Sequence, residues 1–180
     1  MRLSQARASH RARFVEVQVR ADGPRCLRVE CAIQNRSSVT WTERLPSAAS
    51  GNSAPQTLGP VWLGYQVFDA RTGLRVMDGA RSPLGEEWKP GEVRPVTAEI
   101  QLPPGDGSYR IVISPVQEGV AWFHERGSEF LEVEVASSPD GVNVRSVRRA
   151  TRTRQRARRI VQLLVRFFGY PARRDRKSVV

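Results

Sequence analysis

Lysine, histidine and cysteine are scarce in this 180-residue chain: two of each stand against 27 arginines. With so few histidines and cysteines, neither a structural zinc site nor a disulfide framework is expected. Cys26 and Cys31 lie five apart, so within one strand their side chains point to opposite faces. No apolar run approaches the ~20 residues needed to span a bilayer. The first residues, Met1 to Arg7, lack the apolar stretch of a signal peptide. The expectation is a cytoplasmic chain, or one held peripherally on the inner face of the membrane.

Catalytic signatures are missing too. There is no glycine-rich phosphate loop, no dinucleotide fingerprint and no Gly-x-Ser-x-Gly elbow. His10 and His124 are the only imidazoles, and His10 falls in a basic leader expected to be flexible. Glu118 and Glu125, set among aromatics, are the best-placed carboxylates for acid/base work. Acidic residues in strands ordinarily line the solvated face, however, so the chain is read as non-catalytic, with no cofactor and no metal.

What is present is charge, unevenly placed. Residues 1–136 carry 16 basic and 16 acidic side chains, whereas residues 137–180 carry 13 basic and two acidic. The whole net charge of +11 therefore belongs to the tail. Arginine suits phosphate-bearing partners because its guanidinium can donate two parallel hydrogen bonds. A bias toward GC-rich codons would give the same arginine excess, but not the asymmetry.

Between residues 13 and 136 the hydrophobic period is two. Val15, Val17 and Val19 alternate with polar residues, as do Leu27, Val29, Cys31 and Ile33. Val96, Ala98, Ile100 and Leu102 share a parity, and so do Tyr109, Ile111 and Ile113, then Leu131, Val133 and Val135. Segments 61–69 and 74–78 flank Ala70-Arg71-Thr72-Gly73, a hairpin turn. Further breaks fall at Asp22-Gly23-Pro24, Pro90-Gly91 and Pro103-Pro104-Gly105. About seven strands without crossover helices predict an all-β antiparallel sandwich and exclude a parallel α/β fold. Residues 45–59, rich in Ser, Ala, Gly and Pro, read as a long loop.

The order of segments from Ile33 onward resembles a known kind of module. It starts with Asn35-Arg36-Ser37-Ser38-Val39-Thr40-Trp41, then Leu63-Gly64-Tyr65-Gln66-Val67-Phe68-Asp69 and Asp78-Gly79-Ala80-Arg81. Pro90-Gly91-Glu92, Pro104-Gly105-Asp106-Gly107-Ser108-Tyr109 and Gln117-Glu118-Gly119-Val120-Ala121-Trp122-Phe123 follow. This succession is similar to the immunoglobulin-like β-sandwich accessory domains attached to bacterial glycosyltransferases and other cell-surface polysaccharide proteins. With Trp41, Trp62, Trp88 and Trp122 it distantly resembles four-tryptophan immunoglobulin-like domains. The resemblance covers residues 14–136 and implies a sandwich that serves polysaccharide assembly, with a glycan or an assembly protein as partner. Tyr109, early in a late strand, is placed to make a tyrosine-corner hydrogen bond.

Indole rings stack on the apolar faces of sugars, while charged neighbours bond the hydroxyls. Trp62 is out of phase with Val61, Leu63, Tyr65 and Val67 and should face away from them. Arg81, Glu118, Trp122 and His124 come from turns that can converge on one edge. These five residues are the candidate ligand site, against the alternative that the tryptophans simply fill the core.

In the tail, eight arginines crowd residues 145–159, among them Arg148, Arg152 and Arg159. Like charges at i,i+4 oppose an isolated helix, and an anionic surface relieves them. Residues 160–168 follow with an apolar face that includes Ile160, Leu163, Leu164, Phe167 and Phe168, and a basic face with Arg159 and Arg166. Gly169 and Pro171 mark a stop. This predicts a basic amphipathic helix suited to an anionic membrane surface. Docking on protein is the alternative, and nucleic acid ranks last because no base-reading motif accompanies the arginines.

The expected organisation is a flexible leader (1–12), the sandwich (13–136), a linker (137–144), the amphipathic helix (145–170) and a basic tail (171–180). The function expected is non-catalytic recognition in polysaccharide assembly at the membrane surface. The alternative is a protein-interaction module whose arginine-rich tail binds nucleic acid or a large assembly.

Overall fold

The computed structural model describes residues 10–43 and 57–151. Their elements, in order, are β1 (Ala12–Ala21), β2 (Cys26–Asn35), β3 (Thr40–Trp41), β4 (Thr57–Leu58), β5 (Val61–Asp69), β6 (Arg75–Pro83), β7 (Val93–Gln101) and β8 (Gly107–Gln117). β9 (Ala121–Trp122), a 3₁₀ turn (Phe123–Arg126), β10 (Phe130–Ser138) and β11 (Gly141–Ala150) complete the chain. Among the described residues no helix is long and apolar enough to cross a membrane.

Two antiparallel sheets form a β-sandwich. One has the order β1-β2-β7; the other has the order β11-β10-β8-β5-β6, with β9 paired to β8. β1 lies beside β11, and β6 beside β7, so the two layers approach along both margins. Four of the alternations read from the sequence bury the expected parity: Leu27, Val29 and Ile33 on β2, Ala98 and Ile100 on β7, Ile111 and Ile113 on β8, Leu131, Val133 and Val135 on β10. Strands solvated on one face and buried on the other need this pattern.

β1 departs from it by one residue. Val15 pairs with Ala32 and Val17 with Cys31, leaving Glu16 as a bulge with φ 36°. The bulge flips parity, so Phe14 and Val17 both face inward and Val15 does not. The uniform alternation expected of Val15, Val17 and Val19 is thereby corrected.

The tryptophan end of the sandwich is held by one buried carboxamide. Asn35 Nδ2 donates to the carbonyls of Val39 (2.9 Å) and Trp88 (2.8 Å), and its Oδ1 accepts from the Ser37 N–H (2.9 Å). Ser37 Oγ in turn accepts from Trp41 Nε1 at 3.0 Å. Trp41 and Trp88 are fully buried, their rings 5.7 Å apart, and Phe123 meets Trp41 edge-on at 5.2 Å. The Asn-x-Ser-x-x-x-Trp spacing is thus a packing and hydrogen-bonding device, and these two tryptophans are core.

Pro90 and Gly91 make the turn into β7: the Glu92 N–H donates to Lys89 O, and Gly91 takes φ 84°. The hydroxyl that ties the layers together belongs to Tyr65, which accepts from the Gln101 N–H at 3.0 Å across the core. Tyr109, expected in a tyrosine-corner role, packs its ring close to Gly107.

Three expectations about the termini need correction. His10 is buried, with Nε2 3.0 Å from Gln117 Oε1 and its ring 4.9 Å from Phe123; residues 10–12 therefore belong to the fold, because an apolar aromatic corner takes the imidazole. Residues 137–144 are no linker. β10 continues to Ser138, Pro139-Asp140 form a two-residue turn, and β11 pairs back along β10 from Ser138↔Gly141 to Phe130↔Ala150. Residues 145–150 accordingly lie in a strand rather than in the predicted helix. Their arginines are tolerated because β11 is an edge strand, where charge blocks further pairing. Arg152, Arg159, Leu164, Arg166, Phe167 and Phe168, with the rest of the predicted helix and basic tail, lie outside the described residues, as do residues 1–9 and 44–56.

Cys26 and Cys31 lie on β2 as free thiols, one half-buried and one buried. Burial pushes the Cys31 thiol up to about 12. Cys26 is raised as well, first by burial and then by the Glu99 and Asp22 carboxylates.

Candidate functional site

The outer face of the larger sheet collects the residues singled out as a ligand site. On β5, Val61, Leu63, Tyr65 and Val67 point into the core, which turns Trp62, Gly64, Gln66 and Phe68 outward. Register sets Gly64 opposite Arg81 on β6 and Ser114 on β8, and sets Trp62 opposite Pro83 and Val116. The turn after β8 carries Glu118. The chain then folds back through β9, which places Trp122 opposite Val116.

Trp122 reaches across β8 and lies on Gly64. A methyl group at Gly64 would stand 2.8 Å from Trp122 Cη2 and 3.1 Å from Arg81 Cδ, so only glycine leaves room for this indole. The Arg81 guanidinium covers the ring at 4.7 Å, and its Nε donates to Glu118 Oε1 at 2.5 Å. Gln66, with its amide oriented to suit both neighbours, accepts from Trp122 Nε1 at 3.2 Å and from Arg75 at 2.9 Å. His124 stands 5.6 Å from Trp122 and 5.5 Å from Phe130, ring to ring, and its backbone N–H donates to Ser114 Oγ.

Arg81, Glu118, Trp122 and His124 are therefore brought together, and Trp62 lies two residues from Gly64 on the same face. Their accessibility differs, and this matters for chemistry. Trp122 is only 9% exposed, with Gly64 beneath it and Arg81 over its ring, so it offers no open stacking platform. Trp62 is half-buried, and the Arg81 and Glu118 side chains are partly exposed. What remains accessible is an indole beside an arginine–glutamate pair. Gly64, Gln66 and Arg75 complete the arrangement and were absent from the sequence reading. A glycine inside an apolar strand was the one legible signal, since it marks close approach of another group.

Toward the other margin of the same face, Glu132 is buried between two arginines. Arg110 approaches it at 3.2 Å and Arg148 at 2.6 Å, and Arg148 also meets Glu134 at 2.5 Å. Arg110 lies over Phe68 at 4.4 Å. Burial works against the Arg148 charge, but its hydrogen bonds and attraction to Glu132 and Glu134 prevail and hold its pKa above the usual value. Arg148, expected to contact an anionic surface, is thus engaged by the protein's own carboxylates.

Among the described residues no group of three or more His, Cys, Asp or Glu side chains is placed to hold a metal ion. A scan against protein-family models matches none of them, and a search of curated proteins finds no significant relative.

Proposed function

We propose that the chain is a non-catalytic recognition module on an immunoglobulin-like sandwich, which binds a glycan or a partner protein of bacterial cell-surface polysaccharide assembly. Trp62, Arg81, Glu118, Trp122 and His124, distant in sequence, meet on one sheet face, and this convergence carries the proposal. The immunoglobulin-like topology is supported by the strand order. β1-β2-β7 facing β6-β5-β8-β10 matches strands A, B, E facing C′, C, F, G, with β11 as an addition.

Binding rather than reaction suits the chemistry of this face. The Glu118 carboxylate and the Arg81 guanidinium are committed to one another, and the indoles offer contact area instead of proton transfer. Trp62 is the residue positioned to touch a ligand, Arg81 and Glu118 supply polar contacts at its side, and Trp122 braces Arg81 from below. The resemblance supplies the polysaccharide setting, and the arginine-rich tail supplies attraction to the membrane surface where that assembly occurs.

A glycan array probed with the full chain and with Trp62→Ala tests the proposal. Retention on glycans is expected for the native chain and lost in Trp62→Ala, whose melting temperature should fall by only a few degrees. Trp122→Ala is expected to cost ~3–5 kcal/mol in urea unfolding, because it empties a packed site. Undiminished retention by Trp62→Ala would remove this face from the binding surface.

A further inference from the structure

The smaller sheet turns its outward face away from Trp62 and Arg81, and at the end nearest Trp41 and Trp88 that face carries a second cluster. Arg13 on β1 pairs with Gln34 on β2. Phe14 and Ile33 beside them are fully buried, so Arg13 and Gln34 point outward. Arg36 follows in the turn after β2. Its N–H donates to Arg11 O at 2.9 Å, and it is exposed between the buried Asn35 and Ser37. Arg13, Gln34, Asn35, Arg36, Ser37 and Gly91 line an open cavity of about 460 Å³, within the ~300–1,000 Å³ of small-ligand sites.

Hydrogen bonds fix the walls of this cavity. Gln34 Nε2 donates to Gly91 O at 3.2 Å, the Gly91 N–H to Asn35 O at 2.7 Å, and the Asn35 N–H to Glu92 O at 2.9 Å. The end of β2 is thereby locked to the turn that enters β7. Charge sets the cluster apart. Arg20, Arg25, Arg28, Arg81 and Arg94 each have a carboxylate oxygen within 3.9 Å. Among the described residues, neither Arg13 nor Arg36 has an ion-pair partner. Nearby carboxylates are taken: Glu92 by Arg94 and the Lys89 N–H, Glu129 by the Phe14 N–H. Each free guanidinium can donate two parallel hydrogen bonds to an oxyanion. Two positive charges match a phosphate monoester, which carries about −1.5 to −2 at pH 7, whereas one carboxylate would leave a guanidinium uncompensated. Val93, opposite Gln34 and 48% exposed, offers apolar contact to the group that bears the phosphate.

We propose that Arg13 and Arg36 form a binding site for a phosphate monoester, carried by a soluble metabolite or by a lipid headgroup. The site stands on the other layer from Trp62 and does not depend on glycan recognition there.

Titration of the full ¹⁵N-labelled chain with inorganic phosphate, then with glycerol 3-phosphate, tests this by NMR. Ionic strength is held constant, so that screening does not vary. Saturable shifts are expected at Nε–Hε of Arg13 and Arg36 and at the Ser37 and Gly91 amides, with only linear drift at the exposed Arg71. Combining Arg13→Gln with Arg36→Gln should reduce the Ser37 and Gly91 shifts at least fivefold, and an unchanged Trp41 Nε1–H resonance checks the fold. Flotation at 0.5 M salt on phosphatidylcholine vesicles containing phosphatidic acid separates the two sources. A deficit in the double variant assigns the phosphate to a lipid; equal flotation, with the NMR effect present, assigns it to a soluble ligand. Non-saturating shifts in the native chain overturn the proposal. So do equal shifts at Arg71, or saturation that persists in the double variant.

Discussion

Asn35 shows how much one buried side chain can organise. Its carboxamide satisfies two carbonyls and one N–H that close the tryptophan end of the sandwich. Alanine at this position removes all three hydrogen bonds and leaves the buried Ser37 N–H without its partner, at on the order of 1–3 kcal/mol, although Val39 O keeps the Ser37 hydroxyl and Trp88 O keeps the Trp41 N–H. Asn35→Ala should therefore unfold at clearly lower urea concentration than the native chain, with an unchanged m-value. Asp69 is the surface counterpart. Its Oδ1 accepts from the Thr72 N–H, the Thr72 hydroxyl and the Arg71 N–H. The Thr72 hydrogen bonds are the main reason its carboxyl is held below the usual range. A depressed folded pKa stabilises above the unfolded value of about 3.9, and that contribution disappears as pH falls through the folded value. Melting temperatures of the native chain and Asp69→Asn should thus differ at pH 6, and the difference should shrink as pH falls below the unfolded value toward the depressed folded one. The turn at 70–73 was legible from its residue types; the carboxylate that caps it was not, because capping depends on where the side chain lands.

At the scale of elements, β11 changes what counts as the folding unit. Arg148 on β11 neutralises the buried Glu132, and Val142 and Val144 pack against the core. A chain ending at Ser138 loses both contributions. It should melt well below one ending at Thr151 and show reduced β signal in circular dichroism; equal melting temperatures would restore residues 13–136 as the autonomous unit. β11 escaped the sequence reading for a specific reason. A bulge at Arg145, opposite Glu134 and Val135, shifts register, so Val144 and Val147 share a face although they differ in parity. Without the bulge, the run of arginines dominates the pattern. The Pro139-Asp140-Gly141 turn was the available signal. The strands without bulges, β2, β7, β8 and β10, kept the core-facing parity that was read, although β8 and the start of β10 are buried on the outward face too.

For the whole molecule, charge separates into a balanced sandwich and a cationic tail. The arginines contribute about 1 kcal/mol each near an anionic membrane, screened over a Debye length. Burial of an apolar face adds a term that salt does not screen. Flotation on phosphatidylserine vesicles should therefore weaken with salt but persist at 0.5 M. Leu164→Ser combined with Phe167→Ser should abolish it at that salt and barely alter RNA binding, which follows phosphate contacts. Vesicle binding that survives the double substitution at high salt, or a preference of the native chain for RNA at physiological salt, would remove the membrane from the function.

The sequence by itself determined the all-β class, the strands β2, β7, β8 and β10 whose parity is unbroken, and the placement of net charge in the tail. Each of these follows from a local rule: side chains alternate along a strand, glycine and proline shape turns, and charge adds along the chain. It also singled out Arg81, Glu118, Trp122 and His124 as residues that could meet. Only the tertiary structure decided that Trp122 lies under Arg81 on Gly64 instead of facing solvent, that Glu132 is buried between Arg110 and Arg148, and that β8 is apolar on its outward face as well. Those outcomes depend on register and on which strands become neighbours, and both are set by contacts between residues far apart in the chain.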